Sequence, residues 1–252
     1  MPLAKRLLPL VLVVGLVGGL IAWLFVFDTS PPGGAPFEAE GLTLLAYTQG
    51  ADVAWEIRAE QGDVNDANSS LQGVEIDFHT AREGTLTATA GQLHRSEGSA
   101  RLSEGVLVER DDGLRLETDD LTWDESAKFL DAGAIALTMD DLSVHAGSFR
   151  YDLDEETASL GGGVRLVDEG ERSFVATGKH AEESNGTFVL EGNVEAEIEE
   201  GSLRAQTLAI SDEGLTADGD VTVRLILSGD ADGQPEAEEN DESERQRSLN
   251  GA

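Results

Sequence analysis

The chain has 252 residues, with 50 Asp and Glu against 17 Lys and Arg, and a formal net charge of −33 at pH 7. So acidic a chain does not favour binding to nucleic acid or to anionic lipid surfaces, because both need clustered cations. It has no cysteine, which excludes disulfides, thiolate metal sites and thiol nucleophiles. The acidity fits either a high-salt habitat or an ordinary soluble surface, and composition leaves both open.

The chain begins with a basic pair and a long apolar stretch. Leu7–Phe27 carries no charged side chain and would span about 32 Å as a helix, enough to cross a bilayer core. Lys5 and Arg6 precede it, so the positive-inside rule predicts a cytoplasmic N-terminus. No small-residue cleavage pattern follows, which disfavours a cleaved signal peptide. We therefore predict a transmembrane helix, on which Gly15 and Gly19 have a spacing that would let another helix approach.

Polar segments flank the predicted folded body. A stretch rich in Pro and Gly follows the apolar segment and predicts a linker. At the other end, Ser228–Ala252 contains eight acids and two arginines, so it cannot bury enough apolar surface to fold alone. The predicted organisation is a cytoplasmic N-terminus (1–6), a transmembrane helix (7–27), a linker (28–40), a β-jellyroll (41–227) and a disordered acidic tail (228–252).

The body alternates apolar and polar residues with period two, which predicts an all-β structure. LTATAGQLHR, LRLETDDLTW and LSVHAGSFRY begin at Leu86, Leu114 and Leu142, in steps of 28 residues. Pieces such as LSEGVLVE, LDAGAIAL and LGGGVRLV recur between them. Each unit is then two short strands, and stacked units would bury one continuous apolar face. A jellyroll fits this pattern better than a propeller, whose blades need about 40 residues and four strands.

Three successive glycines, Gly161–Gly163, invite comparison with a phosphate-binding loop. Such a loop needs a following helix, and here an alternating strand pattern follows without a G-K-[ST] signature. We therefore predict a turn of the repeat, with a local bend or a close backbone approach.

Patterns for catalysis and metal binding are missing from the sequence. Asp63–Ser70 has the composition of a calcium loop, but Ala67 stands where an oxygen ligand is required. No nucleophile elbow occurs. The four histidines lie in different units, and none has a metal-ligand spacing: His79, His94, His145 and His180. We predict that the protein is not an enzyme and uses no metal and no cofactor.

The series of repeats behind an N-terminal apolar segment resembles the LptC and LptA/OstA families of lipopolysaccharide export proteins. The matching pieces are VAWEIRAEQGDV with LQGVEIDF, LSVHAGSFRYDLDEETASLGGGVRLV, and GKHAEESNGTFVLEGNVEAEI. The resemblance covers about Leu42–Leu227, and the predicted anchor favours LptC. It implies an OstA-like β-jellyroll that transfers lipopolysaccharide without catalysis.

The resemblance also implies partners and a location. The protein would receive lipid from the LptB–LptF–LptG ABC transporter, which it would meet through its membrane helix and its N-terminal edge, Leu42–Tyr47. It would pass the lipid to an LptA-like jellyroll through its C-terminal edge, Leu215–Leu227. The implied localisation is the inner membrane, with a single span and the body in the periplasm.

Apolar side chains that alternate toward the interior are the candidates for lipid contact. For each of them, packing in a dry core is the alternative. For the whole chain, the alternatives are a structural or adhesive β-solenoid and an LptA-like protein without lipid transfer of its own. The candidate residues are Phe78, Leu86, Ala88, Val106, Val108, Leu116, Ile135, Leu137, Val144, Phe149, Val164 and Leu166.

Overall fold

The computed structural model describes residues 37–47, 53–64, 68–80, 84–96, 98–124, 126–155, 157–170, 173–184, 187–199, 201–211 and 214–225. These residues form sixteen β-strands and no helix. The strands are β1 (Phe37–Tyr47), β2 (Val53–Val64), β3 (Ser69–Thr80), β4 (Gly84–Ser96), β5 (Ser99–Arg110), β6 (Arg115–Asp124), β7 (Phe129–Ala132), β8 (Ile135–Met139), β9 (Leu142–Asp152), β10 (Thr157–Asp168), β11 (Phe174–Gly178), β12 (His180–Ser184), β13 (Thr187–Ile198), β14 (Gly201–Ser211), β15 (Gly214–Asp218) and β16 (Thr222–Leu225).

The prediction of an all-β class is confirmed, because the described strands form one large antiparallel sheet. Strands pair mostly with their neighbours in sequence, from β1 at one edge to β15 and β16 at the other. This order follows from short connections, which favour pairing between consecutive strands. The first strand begins at Phe37, within the segment predicted as a linker (28–40).

A line of irregularities crosses the sheet and divides the long strands into two halves. The register shifts between β5 and β6, between β9 and β10, and between β13 and β14. Elsewhere the partner strand is broken instead: β6 pairs with β8 along its first half and with β7 along its second. Because bulges bend strands, we infer that the sheet folds along this line, with the two halves facing each other.

The glycine triplet lies on this line, inside β10. Gly162 and Gly163 have φ of 71° and 88°, a region that glycine enters without steric cost. The register with β9 shifts between Gly161 and Val164. A Cβ on Gly162 would lie 2.9 Å from the Cα of Gly147. The predicted turn is wrong, since the residues form a bulge within one strand, whereas the predicted close backbone approach is confirmed.

The apolar side chains of both halves lie on the same, interior side of the sheet. In β9 the buried positions change phase between Ala146 and Phe149, and β10 carries an extra residue at the register shift opposite. The bulge therefore keeps the apolar face inward on both sides of the fold line. Burial of this face is nearly complete along the middle of the sheet, where most apolar side chains are less than 5% exposed.

The predicted localisation, a single-pass inner-membrane protein, has to be corrected. The part of the chain that the structure describes contains no helix, and so none that is long and apolar enough to cross a bilayer. Its apolar residues alternate with polar ones, and this pattern forms half-buried strands rather than a continuous apolar helix. The segment Leu7–Phe27, with Gly15 and Gly19, lies outside the described residues, as does the predicted tail 228–252.

Candidate functional site

The structure places the predicted lipid-contact residues on the interior side of the sheet. Eleven of them are at most 3% exposed, and Phe78 is partly buried against the same core. Six form a single row of Cα partners that runs across successive strands: Ala88, Val108, Leu116, Leu137, Val144 and Leu166. Contact of these residues with lipid stays a prediction.

The other candidates lie in neighbouring rows. Thr118 has Val106 as its Cα partner on one side and Ile135 on the other. Ile135 is also the partner of Ala146, and Ala146 is the partner of Val164 on the next strand. Leu86 is the partner of Phe78 on the next strand, and Phe149 pairs with Ala132 and Leu160 in the other half of the sheet. The structure therefore gathers the predicted residues into one interior.

The middle of this interior is closed. Val108, Val144 and Leu166 have no exposed surface at all, so other protein atoms already cover them. In this conformation they pack as a core, and an alkyl chain could contact them only after the two halves of the sheet had separated. The structure thus shows, for the middle, the packing that was the alternative interpretation of each candidate.

The C-terminal end of the same interior is open. The row of Leu166 continues through Ala176, Ala196 and Leu203 to Val223 on β16. Val223 is 52% exposed, although it lies on the interior side of the sheet.

The other half of the sheet ends in the same way. Phe188 and Ile210 are fully buried, yet the next residue in their row, Leu215 on β15, is 47% exposed. Leu225, two residues beyond Val223 on β16, is 63% exposed. Sequence reasoning identified this stretch only as an edge. The alternation Val223-Arg224-Leu225 indicates that Val223 and Leu225 face the same side of the sheet, but it does not indicate that they are exposed.

Several polar groups are buried within the apolar interior, and sequence reasoning missed them. Glu183 is fully buried, and Asp168 is 3% exposed and accepts a hydrogen bond from the Gly170 N–H at 2.8 Å. The buried indole N–H of Trp123 donates to no acceptor in the described part of the chain, a condition that costs about 1–3 kcal/mol. With 50 acidic residues in the chain, no sequence signal distinguished the buried carboxylates from those at the surface.

The exterior carries cross-strand ion pairs. Arg58 bonds to Glu56 on its own strand at 2.8 Å, and to Asp77 at 2.6 Å and Glu75 on β3. Glu56 first, and then Asp77, raise the pKa of Arg58 above its ordinary value. Arg150 bonds to Asp131 at 2.6 Å. Pairs this exposed contribute little to stability, because solvent screens the charges. They place cations among carboxylates that would otherwise repel one another.

Two acidic side chains, one in the turn between β5 and β6 and one at the end of β6, have a lowered pKa. The guanidinium of Arg110 donates hydrogen bonds to both carboxylate oxygens of Asp112. This hydrogen bonding is the first cause of the lowered pKa of the Asp112 carboxyl. The Arg110 side chain is only 6% exposed. Asp124 accepts the backbone N–H of Ala127 and the hydroxyl of Ser126, which lower its pKa.

Among the described residues, no three His, Asp or Glu side chains are grouped so that they could hold a metal ion. The four histidines are exposed and separate, and His79 Nδ1 lies 3.2 Å from the hydroxyl oxygen of Thr85. A polar cleft of about 420 Å³ opens near the turn between β5 and β6, and its lining includes Arg110, Arg115 and Thr87. The apolar interior and its open end are therefore the most distinctive features of the described part of the chain.

No protein-family model matches the chain, and no curated protein sequence is significantly similar to it.

Proposed function

We propose that the protein is a non-catalytic lipid-transfer protein of the OstA-like β-jellyroll type. It would accept lipopolysaccharide from an ABC transporter of the LptB–LptF–LptG kind and pass it to a further jellyroll of the LptA kind. One observation carries the proposal: the apolar interior runs through the whole sheet and ends uncovered at Val223 and Leu225. A protein that only needed a stable core would gain from covering this end.

The repeat pattern supports a jellyroll of stacked two-strand units. Ala88, Leu116 and Val144 are 28 residues apart in sequence and fall in one interior row. The fold line crosses the sheet at similar places in successive strand pairs. Such stacking produces an apolar interior between two faces, which can shelter alkyl chains while a polar head stays in water.

The two edges of the sheet support the proposed partners. In the described part of the chain, β1 has a neighbour only on its β2 side, and β15 and β16 pair only with β14. Edge strands offer free backbone N–H and C=O groups to another β-protein. The transporter would meet β1, and the receiving jellyroll would meet the C-terminal end.

A structural β-solenoid without lipid is the second candidate, and the closed middle favours it. A filled interior needs no ligand, and the ion pairs outside would suit a rigid rod. The two functions differ in what happens to the interior when lipopolysaccharide is added, because only a transfer protein admits acyl chains there.

Site-specific photo-crosslinking tests the proposal. A photoreactive amino acid replaces Leu137, which faces the interior, or Thr138, the next residue, which is exposed on the exterior. Melting curves first establish that both variants fold. We expect an adduct with lipopolysaccharide at position 137 and none at 138. The saccharide with its acyl chains removed should give no adduct at either position.

Further interior positions guard against one unsuitable substitution. Val108 and Val144 in the middle, and Val223 at the open end, are tested in the same way. If folded variants at all of these positions form no lipopolysaccharide adduct, the transfer function is wrong and the solenoid interpretation stands.

A further inference from the structure

We propose that the C-terminal end of the sheet is a mouth that takes one alkyl chain of an anionic amphiphile, end-on, between β15 and β16. The mouth is defined by four interior-facing side chains: Leu215 and Ala217 on β15, and Val223 and Leu225 on β16. The inference rests on the proposed function in one respect, since it says where the lipid leaves the interior for the receiving jellyroll. It also holds for simple amphiphiles, which makes it separately testable.

The two apolar strands β15 and β16 lie on opposite sides of the mouth. β15 pairs with the second half of β14 and β16 with its first half, so the two strands lie on opposite sides of the fold line. Three of the four mouth residues are about half exposed or more, and Ala217 is partly buried against the core. Behind them, Ala205, Leu208 and Ile210 of β14 are buried. An alkyl chain entering between β15 and β16 would therefore extend an existing core.

The break between β15 and β16 leaves room for an alkyl chain beside an added strand. β15 has five residues and β16 has four, and both Gly219 and Asp220 between them have positive φ, 70° and 50°. A strand of the receiving jellyroll would pair with the free backbone edges of β15 and β16, so it would not fill the space between their interior side chains.

Charge favours an anionic head group on the β16 side. Arg224 and Arg204 lie diagonally opposite each other on the exterior of β16 and β14. Arg204 bonds to Glu195 at 3.0 Å, while Arg224 is exposed and makes no ion pair with another described residue. Asp218, at the end of β15, and Asp220, in the turn between β15 and β16, are exposed. In a chain with so few cations, an arginine beside an apolar mouth can bind the phosphate or carboxylate of an amphiphile.

Single-cysteine labelling tests the mouth directly, because the native chain has no cysteine. Val223→Cys places a thiol inside the mouth, and Thr222→Cys places one on the exterior face of the same strand. Maleimide labelling of each full-length variant is timed with and without dodecyl phosphate below its critical micelle concentration. At a concentration about tenfold above Kd, bound ligand should slow labelling at 223 about tenfold and leave 222 unchanged.

The charge of the head group is tested with two probes and one variant. Arg224→Gln in the Val223→Cys background should weaken protection by dodecyl phosphate up to about fivefold, as expected for an exposed ion pair. Protection by uncharged dodecyl maltoside should not change. Equal loss for both amphiphiles would overturn the role of Arg224 in binding the head group.

Other outcomes overturn the mouth itself. No protection at 223, or equal protection at 222 and 223, would show that the mouth does not take an alkyl chain between β15 and β16. Labelling at 223 that slows with protein concentration alone would show that a second copy covers this end instead.

Failure of the mouth and failure of the transfer function are distinguishable. Lipopolysaccharide adducts at Leu137 with no protection at Val223 would leave the transfer function and overturn the mouth. Protection by dodecyl phosphate with no lipopolysaccharide adduct anywhere would leave the mouth and overturn the transfer function.

Discussion

The middle of the sheet and its C-terminal end follow the same sequence pattern but differ in burial. Leu116 in β6 and Leu225 in β16 both follow an arginine and both face the interior. Leu116 is 2% exposed and Leu225 is 63% exposed. The difference comes from position in the stack, because β6 has strands on both sides and β16 pairs only with β14 among the described strands.

This difference separates what holds the fold together from what is free to bind. An interior side chain contributes to stability only to the extent that other atoms cover it. The apolar pattern at the C-terminal end therefore adds little to the stability of the isolated protein. Any function that requires this pattern to be buried must supply the cover from a ligand or a partner.

The largest expected contrast comes from removing matched leucines. Leu116→Ala should destabilise the protein by about 2–5 kcal/mol, because it leaves a cavity in a closed core. Leu225→Ala should change stability by about 0.5 kcal/mol or less, as is usual for surface positions. Denaturant unfolding of the two variants measures both values. A cost above 2 kcal/mol for Leu225→Ala would show that the C-terminal end is covered in solution.

The fold line in the middle of the sheet gives a second contrast, between two adjacent glycines. Gly163→Ala meets no atom within 4 Å and should cost about 1–2 kcal/mol from its positive φ alone. Gly162→Ala has the same backbone problem and also brings its Cβ to 2.9 Å from the Gly147 Cα, so it should cost about 1–3 kcal/mol more. Unfolding midpoints of the two variants provide the measurement. Equal midpoints would mean that the two strands separate there without cost.

A glycine at the C-terminal end should behave differently. A Cβ on Gly201 would overlap the Arg224 carbonyl oxygen, a worse clash than at Gly162. We nevertheless expect Gly201→Ala to cost only about 1 kcal/mol globally, because the chain can relieve the clash by releasing β16, whose contacts contribute little. Hydrogen exchange should show faster exchange confined to β16 and the first residues of β14. Acceleration that spreads to β10 or β13 would contradict this independence.

Sequence reasoning reached the class of the fold and the interior direction of its side chains, because period-two alternation depends only on strand geometry. It placed Val108, Leu137 and Leu166 inside without knowing their neighbours. It failed at the glycine triplet, where a bulge and a turn need the same residues. The two differ only in whether the chain continues in the same strand, which long-range pairing decides.

The candidate site was less accessible from sequence. Burial of Glu183 and exposure of Val223 both depend on which strands lie beside them, and an alternating pattern is identical in the two environments. The localisation prediction rested on hydropathy in a segment outside the described residues. The described residues contain no helix, so they gave this prediction no support.

The smallest expected contrast concerns ion pairs in the two regions. Asp112, in the turn between β5 and β6, is about half exposed but binds the nearly buried guanidinium of Arg110. Glu195 binds Arg204 near the C-terminal end, and both side chains are largely exposed. Asp112→Asn should cost about 1 kcal/mol or less at pH 7, since solvent screens half of the pair. Glu195→Gln should cost nothing measurable.

The pH dependence of these variants tests the same contrast with its sign fixed. The pKa of Asp112 is lower in the folded protein than its ordinary value, so the ionised carboxyl stabilises the fold above the unfolded pKa of about 4. That contribution is lost as the pH falls through the lower, folded pKa. The stability difference between the native protein and Asp112→Asn should therefore be constant from pH 7 to about pH 5 and vanish in stronger acid. A difference that persisted at low pH would mean that the side chain at position 112 acts by packing rather than charge, and that the two regions differ in burial alone.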